Sequence, residues 1–265
     1  MQARNPRITF EAALPHWAPN HAFAQITNAG STSLPAVETF LNTVMNRASA
    51  EIADEALKRD IAVFTAQEGN HYRQHRIFNK TLYPRYPGLK AHEAKLQADY
   101  EAMLANRSLR FNAAYCEGFE SLGLIYAEFF FERIDDLTAG ADARLVKLWQ
   151  WHLGEEFEHR TVCYDVLRAL GGGYAARLIG FFHAARHLGA YGKAVSTYLL
   201  SVDRRSMTDK ARRASIAQEK RHRARFLRFA LPRLLAILSP FYDPRRKAEP
   251  RGSARLLETI AAAVR

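Results

Sequence analysis

Four segments of this chain repeat apolar residues at spacings of three and four, and each places glutamate or histidine inside the apolar row. The longest row reads Leu57, Ile61, Phe64, Glu68, His71, His75, Phe78, Leu82. A second reads Leu145, Leu148, His152, Glu156, His159, Cys163, Val166, and a third Leu109, Ala113, Cys116, Glu120, Leu124, Ala127, Phe131. In the fourth, Glu38 shares a face with Leu41, Met45 and Ala48. At about 100° per residue, His152, Glu156 and His159 fall within roughly 60° of one another, on the side of their own leucines. These ionisable groups therefore point into the protein. An isolated carboxylate there costs several kcal/mol or becomes protonated, so something must compensate it.

The anomalies form a set. Glu68/His71 and Glu156/His159 are two Glu-x-x-His pairs on separate helices, and Glu38 and Glu120 are single inward glutamates on two others. Four carboxylates and two imidazoles in this order are the ligand inventory of a carboxylate-bridged di-iron or di-manganese site in a four-helix bundle. Oxygen and imidazole donors suit two Fe ions, with Mn or a mixed Mn/Fe pair as variants. Glu117 lies about 60° from Glu120 and is the alternative on that helix; Glu120 is preferred because it is centred in the stripe.

Further helices are expected at 89–105, 174–200, 208–239 and 253–264, with Gly171-Gly172-Gly173 as a stop signal. No alternating strand is found, so the expected class is all-α, with the site in residues 1–200 and residues 201–265 as a basic helical extension packing on the same domain. Cys116 and Cys163 are the only cysteines, which excludes a disulfide scaffold and an all-cysteine zinc site within one chain. Without a secretory signal or a transmembrane run, the expected location is cytoplasmic, or peripheral to the inner membrane face.

Beyond these spacings, the chain resembles the bacterial family of predicted metal-dependent hydrolases, which belongs with the ferritin-like folds. The matching stretches are Leu34-Pro35-Ala36-Val37-Glu38, Phe64 to His71 running on to His75-Arg76, Phe119-Glu120, and Trp151 to His159 with Tyr164-Asp165. The resemblance implies a ferritin-like four-helix bundle with additional C-terminal helices. Two departures are visible: Ser121 stands where that family usually has His, and Phe241-Tyr242-Asp243-Pro244-Arg245 replaces an aromatic-His-Pro ending. His152, one turn before the last Glu-x-x-His, is similar to the extra histidine of di-iron p-aminobenzoate N-oxygenases. That similarity makes His152 a seventh ligand beside Glu38, Glu68, His71, Glu120, Glu156 and His159.

Other polar residues have plainer readings. Glu155 sits at the edge of the His152/Glu156 face and Glu158 points away from it, so both read as solvated or as supports for the ligands. Asp165 could orient a histidine of a neighbouring helix. His75 reads as a support, a pocket residue or a core histidine, Gln67 and Asn79 as ordinary helix polar groups, and His16 and His21 as part of an extended lead-in.

Residues 1–200 carry 21 Lys+Arg against 21 Asp+Glu, whereas residues 201–265 carry 17 against 6. The whole net charge of +11 thus lies in the tail. A basic stretch running into Phe226, Leu227, Phe229, Leu231, Leu234 and Leu235 suits an anionic membrane surface through residues 204–240; no nucleic-acid motif is present and no nucleic acid is expected.

The expected function is a non-haem di-iron oxidoreductase, an O2-dependent oxygenase or desaturase acting on a small organic substrate with an external electron donor. A binuclear metal-dependent hydrolase is the first alternative, and a ferritin-type metal-binding or membrane-associated non-enzymatic protein the second.

Overall fold

The computed structural model describes residues 1–264, and every regular element among them is helical. The long helices are α1 (His21–Glu51), α2 (Glu55–Lys80), α3 (Leu89–Asn106) and α4 (Leu109–Glu132). A short α5 (Asp135–Thr138) precedes α6 (Ala143–His159) and α7 (Val162–Ala169). The chain continues through α8 (Tyr174–Arg205), α9 (Asp209–Ile237) and α10 (Ser253–Val264). The all-α expectation holds. Helix starts follow local chemistry: the side chains of Asn20, Asp54, Ser108, Asp142 and Thr208 each accept from a backbone N–H of the first turn.

Two boundaries differ from the sequence pattern. The stripe from Leu145 to Val166, continuous in its spacing, breaks at Arg160-Thr161, directly after His159, and resumes as α7. The first helix begins at His21 and carries Pro35 in its interior. A proline there cannot donate to the carbonyl four residues back, which is that of Ser31. Asn79 of α2 supplies the missing donor: its Nδ2 bonds the Ser31 carbonyl at 2.9 Å, and Ser31 Oγ donates to Asn79 Oδ1 at 2.6 Å. Asn79 is thus no ordinary surface amide; it answers the proline and fastens α1 to α2.

The site-bearing helices α1, α2, α4 and α6 pack around one interior, with α7 against α4 and α2. Helix α8 lies close along α4. A Cβ on Gly180 would come within 2.0 Å of the Ala114 carbonyl oxygen, and one on Gly118 within 2.6 Å of the Phe181 Cα, so only glycine lets these backbones meet. The tail helix α9 packs on α1 and α4, and α10 on α6. His222 of α9 is buried between Phe23 and Phe129. Burial, reinforced by Arg223 and Arg225, pushes its pKa down to about 4 and keeps it a neutral core group.

The lead-in before α1 is tied down along its length. Arg4 N donates to Glu155, Ile8 N to Gln74, and Trp17 Nε1 to Asn28. His16 meets the buried Asp203 at 2.7 Å, where Tyr86, Gln25 and Arg85 also donate. His21 is the first residue of α1, stacked on His16. His16 thus locks the lead-in to the end of α8, and His21 packs against it.

Candidate metal centre

The four stripes converge. Among the described residues, ligand atoms of Glu38, His71 and His152 lie within 4.8 Å of one another, and so do those of Glu68, Glu156 and His159. Glu156 faces both groups: Oε1 is 3.1 Å from His152 Nε2, and Oε2 is 3.5 Å from His159 Nε2. Glu68 does the same through Oε1, which is 3.7 Å from His71 Nδ1 and 3.3 Å from His159 Nε2. Glu120 closes the second group, with Oε2 at 3.3 Å from His159 Nε2. The arrangement is two half-sites, one ended by Glu38 and the other by Glu120, with Glu68 and Glu156 between them.

All of these side chains are buried. Both carboxylate oxygens of Glu38, Glu68, Glu120 and Glu156 lack a hydrogen-bond partner, as do Nδ1 of His71, Nδ1 of His152 and Nε2 of His159. Buried polar atoms are nearly always paired, so this many orphans facing one point mark a place for cations. Without cations the charges conflict. Burial, then the neighbouring carboxylates Glu68, Glu156 and Glu120, hold the Glu38 carboxyl well above the usual range. Burial and the Glu156 charge do the same to Glu120, against the pull of His159. Burial alone would also raise Glu156, but His159 and His152 beside it keep its carboxyl well below the usual range. Two divalent ions would offset the four carboxylates, and the oxygen and imidazole donors match Fe or Mn better than a thiolate-seeking metal.

The outer nitrogens of two histidines are fixed. His71 Nε2 donates to Glu155 Oε2 at 3.0 Å, leaving the Nδ1 lone pair facing inward. His159 Nδ1 donates to Gln67 Oε1 at 3.0 Å, leaving Nε2 inward. The Gln67 orientation is set by its Nε2, which donates to Glu158 Oε2 (2.9 Å) and the Gln2 carbonyl (3.1 Å). Arg4 joins the two ends: Nη1 donates to Glu155 Oε1 (3.0 Å) and Glu158 Oε2 (2.9 Å), and Nη2 to Glu158 Oε1 (2.8 Å). One continuous chain, Glu155–Arg4–Glu158–Gln67, therefore sets the tautomers of His71 and His159.

This chain departs from the sequence reading. For Glu155 and Glu158 the support role holds, and the solvated one does not for Glu155, which is fully buried; Gln67 is a histidine partner and no ordinary helix polar group, and Arg4 stands outside the residues the spacing singles out. Gln67 and Glu155 each directly precede a centre glutamate, a signal that was present; Arg4 lies in an irregular lead-in and left none. Asp165 does not orient a histidine: it pairs with Arg245 at the surface. Glu117 accepts from Ser121 and stands apart from the centre, while Glu120 reaches it. Ser121 also meets Tyr242 at 3.0 Å and so serves packing against the tail. His75 meets Ser31 Oγ through Nδ1 at 2.9 Å and packs on Trp149 and His152.

A cavity of about 660 Å³ reaches this centre at His152 and Glu156. Gly123 borders it there; a Cβ at that position would stand 3.4 Å from Glu156 Oε2.

Fold and site together define a helical bundle with a buried carboxylate–histidine centre suited to a pair of metal ions. The chain belongs to the family described as predicted metal-dependent hydrolase, which matches residues 2–248. No curated protein and no solved structure matches it.

Proposed function

We propose that this protein is a metalloenzyme in which Glu38, His71 and His152 would hold one transition-metal ion and Glu120 and His159 a second, with Glu68 and Glu156 as further ligands placed between the two half-sites. The reaction proposed is hydrolysis of a small, largely apolar organic substrate. The observation that carries the reading is the convergence of unpaired buried oxygens and nitrogens from four helices on one point. The family assignment favours hydrolysis over the oxidoreductase expected from the ligand inventory. Divalent ions bound there would supply Lewis acidity and a water of lowered pKa.

The chain's own residues do the rest. Glu155 and Gln67 hold the two imidazoles in one tautomer. Trp149, Tyr126 and Leu153 line the cavity beside His152 and limit the water that reaches it. Glu156 stands at the junction of cavity and centre, so a substrate in the cavity lies directly beside the metal-holding groups.

O2-dependent oxidation, with iron and an external electron donor, is the second reading, favoured by the apolar cavity that meets the centre at His152 and Glu156. Metal analysis, Mössbauer spectroscopy and oxygen uptake on protein from iron- and manganese-replete cells separate the two. About two metal ions per chain are expected, with ester hydrolysis and no oxygen consumption. Stoichiometric O2 uptake by the reduced protein transfers the case to the oxygenase reading. Well under one tightly bound ion per chain overturns both.

We also propose peripheral contact with an anionic bilayer through residues 204–240. No described helix is long and apolar enough to cross a membrane. On α9, Ala230 and Ile237 are buried against the bundle, whereas Leu227, Leu231 and Leu235 are 59%, 53% and 63% exposed among Lys220, Arg221 and Arg228. Each such cation near an anionic surface contributes on the order of 1 kcal/mol before screening. The expected result is cosedimentation with anionic but not neutral vesicles, weakening as salt rises. Equal failure with both vesicle types ends this proposal.

A further inference from the structure

Helices α8 and α9 run antiparallel and are fastened at both ends. At one end Arg204 donates to Ser215 Oγ (3.1 Å) and to Glu219 (2.7 Å). At the other, Arg177 donates to the carbonyls of Ile237 (2.6 Å) and Ser239 (2.8 Å). Between these ties the cavity of about 660 Å³ comes to the surface. Its rim there is Gly189, Gly192 and Lys193 from α8 and Arg223 and Leu227 from α9. A Cβ on either rim glycine would meet nothing within 4 Å, so the opening is wide at that edge.

The wall and the rim differ in chemistry. Inside are Ile26, Leu122, Ile125, Trp149 and Phe226, ending at His152 and Glu156. The volume is in the range of small-molecule sites, which are about 300–1,000 Å³. At the rim the charge is positive. Arg223 donates to Ser196 Oγ at 2.9 Å, one helical turn from Lys193. It shares a single carboxylate, Glu219, with Arg204. Among the described residues Lys193 forms no ion pair, and Glu156 is the only carboxylate lining the cavity, at its buried end. Arg223 thus has only a shared carboxylate and Lys193 has none, so positive charge is left unmatched where an apolar passage meets water.

We infer that this cavity takes a single-chain amphiphile with an anionic head group, its chain along the apolar wall and its head between Lys193 and Arg223. The inference rests on the proposed function in one respect: the bond that reacts lies along the chain, next to His152 and Glu156, and not at the head group. A carboxylate and a phosphate share the required chemistry. A neutral head gains nothing from the rim, and a cationic one is repelled by it.

The test uses decanoate, decyl phosphate, decanol and decyltrimethylammonium below their micelle concentrations, with calorimetric titration of the full-length protein and metal content measured on the same samples. Both anions are expected to bind at least about tenfold more tightly than decanol, as charge-assisted contacts allow, and the ammonium most weakly. The Lys193→Gln/Arg223→Gln double variant should lose that preference and keep its decanol affinity. Gly192→Trp, placed in open space at the rim, should weaken all four probes. Equal affinity for anionic and cationic probes, an unchanged preference in the double variant, or no binding of any probe overturns the inference. A protein holding two metals that binds no probe refutes the amphiphile alone; one that binds the anions but holds no metal refutes the metalloenzyme reading alone. Anionic selectivity for decyl phosphate over decanoate would point to a phosphorylated head, and the reverse to a carboxylate.

Discussion

Glu156→Ala is expected to reduce metal content from about two ions per chain to below one and to abolish turnover, because this carboxylate faces both half-sites. The stability consequence has opposite signs with and without metal, and Glu38→Gln shows it best. In the metal-free protein the Glu38 carboxyl is held well above its ordinary 4.5 by burial and by Glu68, Glu156 and Glu120. A group whose folded pKa is raised favours the folded state fully below its unfolded pKa. That contribution is lost as pH rises from about 4.5 through the raised value. Glu38→Gln removes the loss, so metal-free variant should melt above metal-free wild type at pH 8, with little difference at pH 4. With metal the order reverses. An ion present at 100 times its Kd stabilises the fold by about 2.7 kcal/mol, and the variant forfeits much of that. Thermal melts with chelator and with added Fe(II) or Mn(II), at both pH values, give the answer. A Glu38→Gln protein less stable than wild type in chelator at pH 8 would show that the carboxylates do not repel one another, and would remove the electrostatic case for a metal centre.

Arg4→Ala should be the most damaging change outside the centre. Among the described residues Arg4 is the one arginine or lysine paired with Glu155, which is fully buried and whose other oxygen meets His71, and it also grips Glu158 through two nitrogens. Removing one partner of a buried pair costs on the order of 3–5 kcal/mol when the remaining charge is left uncompensated; His71 on Glu155 and Gln67 on Glu158 soften that, so the loss should fall toward the lower end. The same substitution frees Glu155 and Gln67 to turn, and loss of such supports lowers metal affinity by about 10–100-fold. Arg4→Lys keeps the charge but cannot span both carboxylates, so it should fall between the two. Chemical denaturation and competitive metal titration measure these effects separately. If Arg4→Ala retains both the denaturation midpoint and the metal affinity of the wild type, the chain Glu155–Arg4–Glu158–Gln67 is not what holds His71 and His159.

Much of the site could be read in one dimension. The burial of Glu38, Glu68, His71, Glu120, His152, Glu156 and His159 follows from where each falls in its own apolar stripe, a property of a few helical turns. Helix limits came close for the same reason: α4, α8 and α9 lie within a few residues of the segments expected from spacing. The reading failed where distant parts of the chain determine the result. Asn79 resembles any helix amide until Pro35 leaves the Ser31 carbonyl without a donor. Glu155 sits at the edge of its face, and only the arrival of Arg4 from the lead-in makes its burial tolerable. Asp165 is drawn to Arg245 across the fold and away from any histidine. The preference for oxidation over hydrolysis came from the donor types, which two-metal hydrolysis and O2 chemistry share, and from the likeness of His152 to the extra histidine of di-iron N-oxygenases; the family match favours hydrolysis.

The sequence by itself determined which ionisable side chains face the interior, because 3.6 residues per turn fix each helix's inward face without reference to its neighbours. Tertiary structure alone decided how those side chains divide into two half-sites, which glutamates lie between them, and which nitrogen of His71 and His159 faces inward. It also decided that the tail, distinguished in sequence only by its charge, closes one side of a cavity leading to Glu156. Pairings between residues up to about 150 positions apart depend on which helices pack together, a choice made by burial over the whole core and carried by no local stretch of the chain.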